Sequence, residues 1–157
     1  MTTGLVYALI GAGLAAGLAG IGSAIGVALG GKAAAGVISE KPELFGRVLI
    51  LQALPGTQGI YGFLVAILIM AKIGMIGGSP LPLTDAQGLG LFAASLPIAL
   101  GGLVSAIYQG KMAAAAITMT AKKPTMSARG MTMTAIVETY AILALLVSVL
   151  MYVAVAV

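Results

Sequence analysis

Four long apolar stretches, Leu5 to Gly31, Val48 to Ala71, Gly88 to Ala116 and Gly130 to Val157, constrain this chain more than any other feature. Each is long enough to cross a hydrocarbon core of roughly 30 Å, which takes about 20 helical residues. Backbone surrounded by lipid has to satisfy its own hydrogen bonds, so each stretch is expected to be a helix. Composition agrees, with 61% hydrophobic and only 8% charged residues, against about 25% charged in soluble domains. The chain reads as an all-α membrane protein whose 157 residues are taken up by four spans, with no room for a separate soluble domain. Met1-Thr2-Thr3-Gly4 supplies no basic run ahead of the first stretch, which is also too long for a signal peptide and reads as a retained helix.

Polar breaks divide the spans into two halves that resemble each other. Ser39-Glu40-Lys41-Pro42-Glu43 separates the first two stretches and Ala121 to Arg129 the last two, each with a helix-breaking proline. Lys41-Pro42 recurs as Lys123-Pro124 and Arg47 as Arg129, both 82 positions later, while Gln58 falls opposite Glu138 at 80. The register of the first helices is ambiguous, because Gly31-Lys32 also meets Gly110-Lys111 at 79. Two tandem hairpins follow: residues 1–73, a connection over residues 74–87 rich in Gly and Pro, and residues 88–157. Two helices per half make the repeats parallel in the membrane, unlike inverted transporter repeats. A kink is expected at Pro97 in the third helix.

The first helix is rich in glycine, with Gly13/Gly17 and Gly22/Gly26/Gly30 at small-xxx-small spacing. In lipid this predicts close helix approach. Seven of the eight Lys and Arg, namely Lys32, Lys41, Arg47, Lys111, Lys122, Lys123 and Arg129, lie in or near the two hairpin turns. By the positive-inside rule those turns face the cytoplasm, and both termini and the central connection face outward. The net charge of +4 is better matched to lipid headgroups than to nucleic acid.

Glu138 is the only charged residue between Arg129 and the end of the chain. An acid near the centre of a membrane helix costs about 2.5–3.5 kcal/mol, and such groups mark ion or proton paths. Glu138 lies fourteen residues after Pro124, Gln109 fifteen before it and Gln58 sixteen after Pro42. At about 1.5 Å per residue all three reach one depth, roughly 21–24 Å from the hairpin tips. Leu54, Thr57, Gln58 and Tyr61 follow the i, i+3, i+4, i+7 spacing of one helix face, so Thr57, Gln58 and Tyr61 can face Glu138 together. Pro55 lacks an N–H and is expected to release the Leu51 carbonyl near this level. Lys111 is two residues from Gln109 and points elsewhere on the helix. Oxygen donors with no Cys or His anywhere in the chain suit a hard cation or a proton.

Leu54-Pro55-Gly56-Thr57-Gln58-Gly59-Ile60-Tyr61-Gly62, Gln109-Gly110-Lys111 and Val137-Glu138-Thr139-Tyr140-Ala141-Ile142-Leu143 closely resemble the membrane-ring proteolipid of bacterial V-type ATPases. The resemblance spans essentially the whole chain and implies a homo-oligomeric rotor ring turning past a stator membrane subunit in the bacterial plasma membrane. A central stalk on the cytoplasmic side would join the ring to a soluble head that handles ATP. The resemblance further implies that sodium, or a proton in its place, is held by the Leu54 carbonyl, Thr57, Gln58, Gln109 and Glu138, with Tyr61 hydrogen-bonded to the acid. It places the Gly/Ala-rich first and third helices inside the ring and the bulkier second and fourth toward lipid. Only the second hairpin carries an acid, so each four-helix chain would offer one exchangeable charge. A passive pore would need a continuous polar helix face, which the sequence lacks. No Gly-Lys-Ser/Thr nucleotide motif occurs, so the chain is expected to be a non-catalytic subunit, and its few Lys and Arg, placed at helix ends and loops, imply no nucleic-acid partner.

Overall fold

The computed structural model describes Met1–Val157 as an all-helical bundle of four candidate membrane spans. Helix α1 (Thr3–Glu40) is followed by a 3₁₀ turn at Pro42–Leu44, α2 (Phe45–Ala53), a second 3₁₀ turn at Leu54–Gly56 and α3 (Thr57–Lys72). Helix α4 (Asp85–Lys122), a 3₁₀ turn at Pro124–Met126 and α5 (Ser127–Ala154) complete the chain. From Pro42 to Lys72 the chain is one span with a 3₁₀ interruption at Pro55.

Several boundaries differ from the sequence expectation, each for a local reason. Helix α1 runs past Gly31 to Glu40 because Ala33-Ala34-Ala35 favours helix and nothing breaks the ladder before Pro42. Helix α4 starts at Asp85, three residues before Gly88, because the Thr84 side chain accepts from the Gln87 N–H while Gln87 reaches back to the Thr84 backbone. At Pro97 the helix is unbroken. The N–H of the next residue, Ile98, donates to Ser148 Oγ of α5 at 3.0 Å, so a hydroxyl takes a donor that the proline leaves in a disturbed ladder.

The structure settles the repeat register. Helices α1 and α4 have the same length and begin 82 residues apart, after N-cap threonines Thr2 and Thr84 that are also 82 apart. The 3₁₀ turns at Pro42 and Pro124 show the same offset. The 79-residue match of Gly31-Lys32 is therefore coincidental. The 3₁₀ turn at Pro55 has no counterpart in the second hairpin, where α5 is continuous from Ser127 to Ala154.

Glycine lets α1 and α4 approach backbone to backbone. A Cβ on Gly22 would stand 2.6 Å from the Leu103 Cα, and one on Gly110 would run into the Gly26 backbone. The hairpins are also tied at their ends. Lys41 Nζ donates to the Ala121 carbonyl at 2.6 Å and Arg47 Nη1 to the Pro124 carbonyl at 3.0 Å. At the opposite end Lys72 Nζ donates to the Tyr152 carbonyl at 2.7 Å and lies over its ring. Buried apolar residues form two clusters. One around Leu5, Ile69, Leu91 and Ile98 lies toward the central connection, and the other around Leu44, Leu51 and Ile117 lies toward the hairpin turns.

Candidate ion-binding site

Between those two apolar clusters lies a layer of polar side chains. Gln58 and Gln109 are fully buried, and Glu138 is half-buried on α5. Tyr61, one turn beyond Gln58 on α3, donates its hydroxyl to Glu138 Oε1 at 2.5 Å. Gln109 Nε2 lies 3.5 Å from Glu138 Oε2 and donates to the Thr134 carbonyl at 3.1 Å. Gln58 Nε2 donates to Gln109 Oε1 at 2.5 Å. A chain of polar contacts thus runs from α3 through α4 to α5, and no buried side-chain nitrogen or oxygen lacks a partner.

The 3₁₀ turn at Pro55 sets the near side of this layer. Tightening the helix there brings the Leu54 carbonyl into a bond with the Thr57 N–H, and Thr57 Oγ1 sits 3.0 Å from the same oxygen. Thr57 Oγ1 is also 3.3 Å from Gln58 Oε1. The carbonyl beside the polar layer is therefore that of Leu54. Leu51, whose carbonyl the proline was expected to release, is a buried packing residue of the cluster nearer the hairpin turns.

All six side chains or carbonyls singled out from the sequence, at Leu54, Thr57, Gln58, Tyr61, Gln109 and Glu138, meet at this level. Lys111 does not: its ammonium is exposed and packs over the Tyr108 ring, 4.7 Å from the centroid. Sequence reasoning missed Ser105. Its hydroxyl donates to the Val137 carbonyl at 3.0 Å and lies 3.4 Å from Gln58 Nε2, so it holds Gln58 against the backbone just before Glu138. Its position four residues before Gln109, on the same face of α4, is the signal that could have revealed it.

The donor set is all oxygen apart from the two amide nitrogens: one carboxylate, two amides, hydroxyls and a main-chain carbonyl. No group of three or more Asp, Glu, His or Cys occurs. Such a set suits a hard monovalent cation better than a transition metal, which prefers imidazole or thiolate.

Comparison with known families matches the ATP synthase C-subunit family twice, over residues 10–69 and 92–151. The chain belongs to that family. Its two matches start 82 residues apart, the offset that separates α1 from α4. The chain is 48% identical over 148 residues to the V-type sodium ATPase subunit K of Enterococcus hirae, covering 94% of this chain and 91% of that protein. It is 42% identical over 155 residues to the A-type ATP synthase subunit K of Methanocaldococcus jannaschii, covering 99% of this chain and 66% of that one. As a two-repeat member of the family the chain is a non-catalytic, ring-forming membrane proteolipid.

Proposed function

We propose that this proteolipid carries sodium across the membrane, one ion per chain, bound at Glu138 as the ring turns past a stator. The observation that carries this reading is the meeting of the Leu54 carbonyl, Thr57, Gln58, Gln109 and Glu138 at one level. A proton site needs only a carboxyl group and one local partner, and Tyr61 alone supplies that partner. The further oxygens are what a sodium ion requires to replace its water shell. The Enterococcus hirae relative is itself named as a sodium ATPase subunit.

In this reading Glu138, Thr57, the Leu54 carbonyl and the amide oxygens of Gln58 and Gln109 hold the ion. Gln58 Oε1 already lies beside Thr57 Oγ1, rotation of the Gln109 amide turns its oxygen toward Glu138, and Tyr61 and Ser105 fix Glu138 and Gln58 from behind. Neutralising Glu138 lets it travel through lipid, where a bare carboxylate is strongly disfavoured. The ion leaves and enters where the stator opens the site to water. The turns at Pro42 and Pro124 face the cytoplasm and meet the central stalk, following the Lys and Arg bias. The membrane is the bacterial plasma membrane.

Labelling of Glu138 by a hydrophobic carbodiimide tests the assignment. The reagent attacks the protonated carboxyl, so sodium should slow the reaction. Raising the pH deprotonates Glu138, leaves more of it free to bind metal and should lower the sodium concentration needed for protection. Thr57→Ala or Gln109→Ala should weaken protection while leaving the carboxyl reactive. Labelling that falls with pH identically at every sodium concentration makes this a proton site and removes Thr57, Gln58 and Gln109 as ligands. Ser105→Ala is expected to raise the sodium needed for half-protection about fivefold, since it removes a positioning hydrogen bond of roughly 1 kcal/mol. A titration matching the unsubstituted protein would deny Ser105 that part.

A further inference from the structure

A serine recurs at the repeat offset on the two glycine-rich helices. Ser23 on α1 and Ser105 on α4 are 82 residues apart, the spacing of the helices themselves. Both are buried within the chain. Ser105 donates to the Val137 carbonyl, which belongs to the peptide unit joining Val137 to Glu138. Ser23 grips the first hairpin in the opposite sense: its Oγ accepts the Gly59 N–H at 2.7 Å, and that N–H belongs to the peptide unit joining Gln58 to Gly59. Each copy of the serine thus holds main chain beside a polar side chain of the ion site. Ser23 itself bonds to none of the groups assigned as ligands, so whatever it does for them it does through the backbone.

The need for such a hold begins at Pro55. The 3₁₀ turn at Leu54–Gly56 interrupts the span just ahead of α3, so the hydrogen-bond ladder of α2 does not dictate how α3 is rotated about its own axis. Gly59 is the third residue of α3, whose start has no side-chain cap of its own. Donors in a helix's first turn look for partners outside the ladder, and here the partner is a hydroxyl on another helix. Glycine at position 59 permits the approach, since a Cβ there would stand 3.2 Å from both Cβ and Oγ of Ser23. One turn on, Gly62 rests on α1 as well, where a Cβ would stand 2.5 Å from the Ala19 Cβ. Ser23 is also a fixed reference point. Gly22 and Gly26, on either side of it, abut the Leu103 and Ala106 main chain of α4, the helix that carries Gln109. Because a peptide unit is planar, holding the Gly59 N–H against this reference sets the direction in which Gln58 leaves α3.

We propose that Ser23 is a positioning residue for ion binding, which through the Gly59 N–H holds the Gln58 amide at the level of Thr57 and Glu138. This rests on the sodium reading of the previous section and deepens it. Without the hydroxyl, the Gly59 N–H turns to a carbonyl of its own chain, α3 rotates and the Gln58 oxygen is drawn out of register with the carboxylate.

Ser23→Ala tests the proposal in membranes containing the whole ATPase, with carbodiimide labelling of Glu138 followed against sodium concentration. Alanine keeps the Cβ that packs on Gly59 and favours helix, so ring mass and resistance to detergent should be unchanged. The sodium needed for half-protection should rise about fivefold, the usual weight of one such hydrogen bond. Labelling without sodium at low pH should keep its rate, because the carboxyl is then protonated wherever Gln58 stands. An unchanged half-protection concentration, in a preparation whose unsubstituted chain is protected by sodium, would overturn the role of Ser23 and leave the sodium reading standing. A ring that falls apart more readily while half-protection stays the same would likewise overturn it and make Ser23 a packing residue. No protection by sodium in the unsubstituted chain would remove the sodium reading and this proposal together. Should Ser23→Ala yield no ring, Ser23→Cys is titrated in its place. A thiol is a weak acceptor, so half-protection should again need more sodium, and a value equal to that of the unsubstituted chain would overturn the proposal.

Discussion

Glu138→Gln leaves the ring assembled and reduces ion uptake by reconstituted vesicles to the level of empty ones. The amide keeps the size of the acid and can accept the Tyr61 hydroxyl in place of Glu138 Oε1, so the polar layer between the two apolar clusters stays paired. It carries no charge, and an amide cannot exchange a proton or neutralise a bound metal near neutral pH. Folding should be spared, because replacing a membrane carboxylate by an amide removes a desolvation cost. Two measurements are needed on one preparation: sodium or proton uptake driven by ATP, and native mass of the ring. Coupled uptake at the unsubstituted rate would refute Glu138 as the carrier, and loss of the ring would show that the acid serves packing instead.

Gly26→Leu is expected to prevent the chain from folding, before any question of assembly arises. The sequence pattern placed this glycine on a tight face, and the structure places that face inside the protomer. A Cβ at Gly26 would run into the Ala106 carbonyl of α4 and stand 2.7 Å from the Pro55 Cβ, and Gly110 of α4 is pressed against Gly26 in turn. Overpacking costs about 1–3 kcal/mol where side chains can give way. Here the obstacles are main chain and a proline ring, which cannot, and displacing α4 would also separate Gln109 from Gln58. Gly36→Leu is the matched control, since a Cβ there meets nothing within 4 Å and leucine favours helix over glycine by about 1 kcal/mol. Folded yield in mild detergent should be near zero for the first variant and unchanged for the second. Equal yields would mean that α1 and α4 are not locked together by glycine.

Much of this architecture follows from local sequence. Backbone in lipid has few options, so four apolar stretches specify four helices, and Pro42 and Pro124 specify where the hairpins turn. The fixed helical rise then puts Gln58, Gln109 and Glu138 at one depth without any knowledge of packing. Helix-face spacing likewise brings Thr57 and Tyr61 to the same side as Gln58. These are properties of single helices, and a sequence records them directly.

What remained for the tertiary structure to decide depends on two helices at once. Pro55 could have opened a carbonyl at Leu51. The structure has a 3₁₀ turn there, in contact with α1 and α4, and the carbonyl that Thr57 engages is that of Leu54. Ser105 looked like one more small residue of a glycine- and alanine-rich helix. It becomes a positioning group only because α4 lies between Gln58 and the Val137 carbonyl. The choice between 79 and 82 for the repeat also lay beyond the motif pairs, since both align a Lys or Arg; it took the matching lengths and caps of α1 and α4. Periodicity shows that Gly13, Gly17, Gly22 and Gly26 are small but not which of them is covered. The structure seats Gly22 and Gly26 on α4 and leaves Gly13 and Gly17 open, because facing is fixed by the rotation of one helix against another, which no single helix encodes.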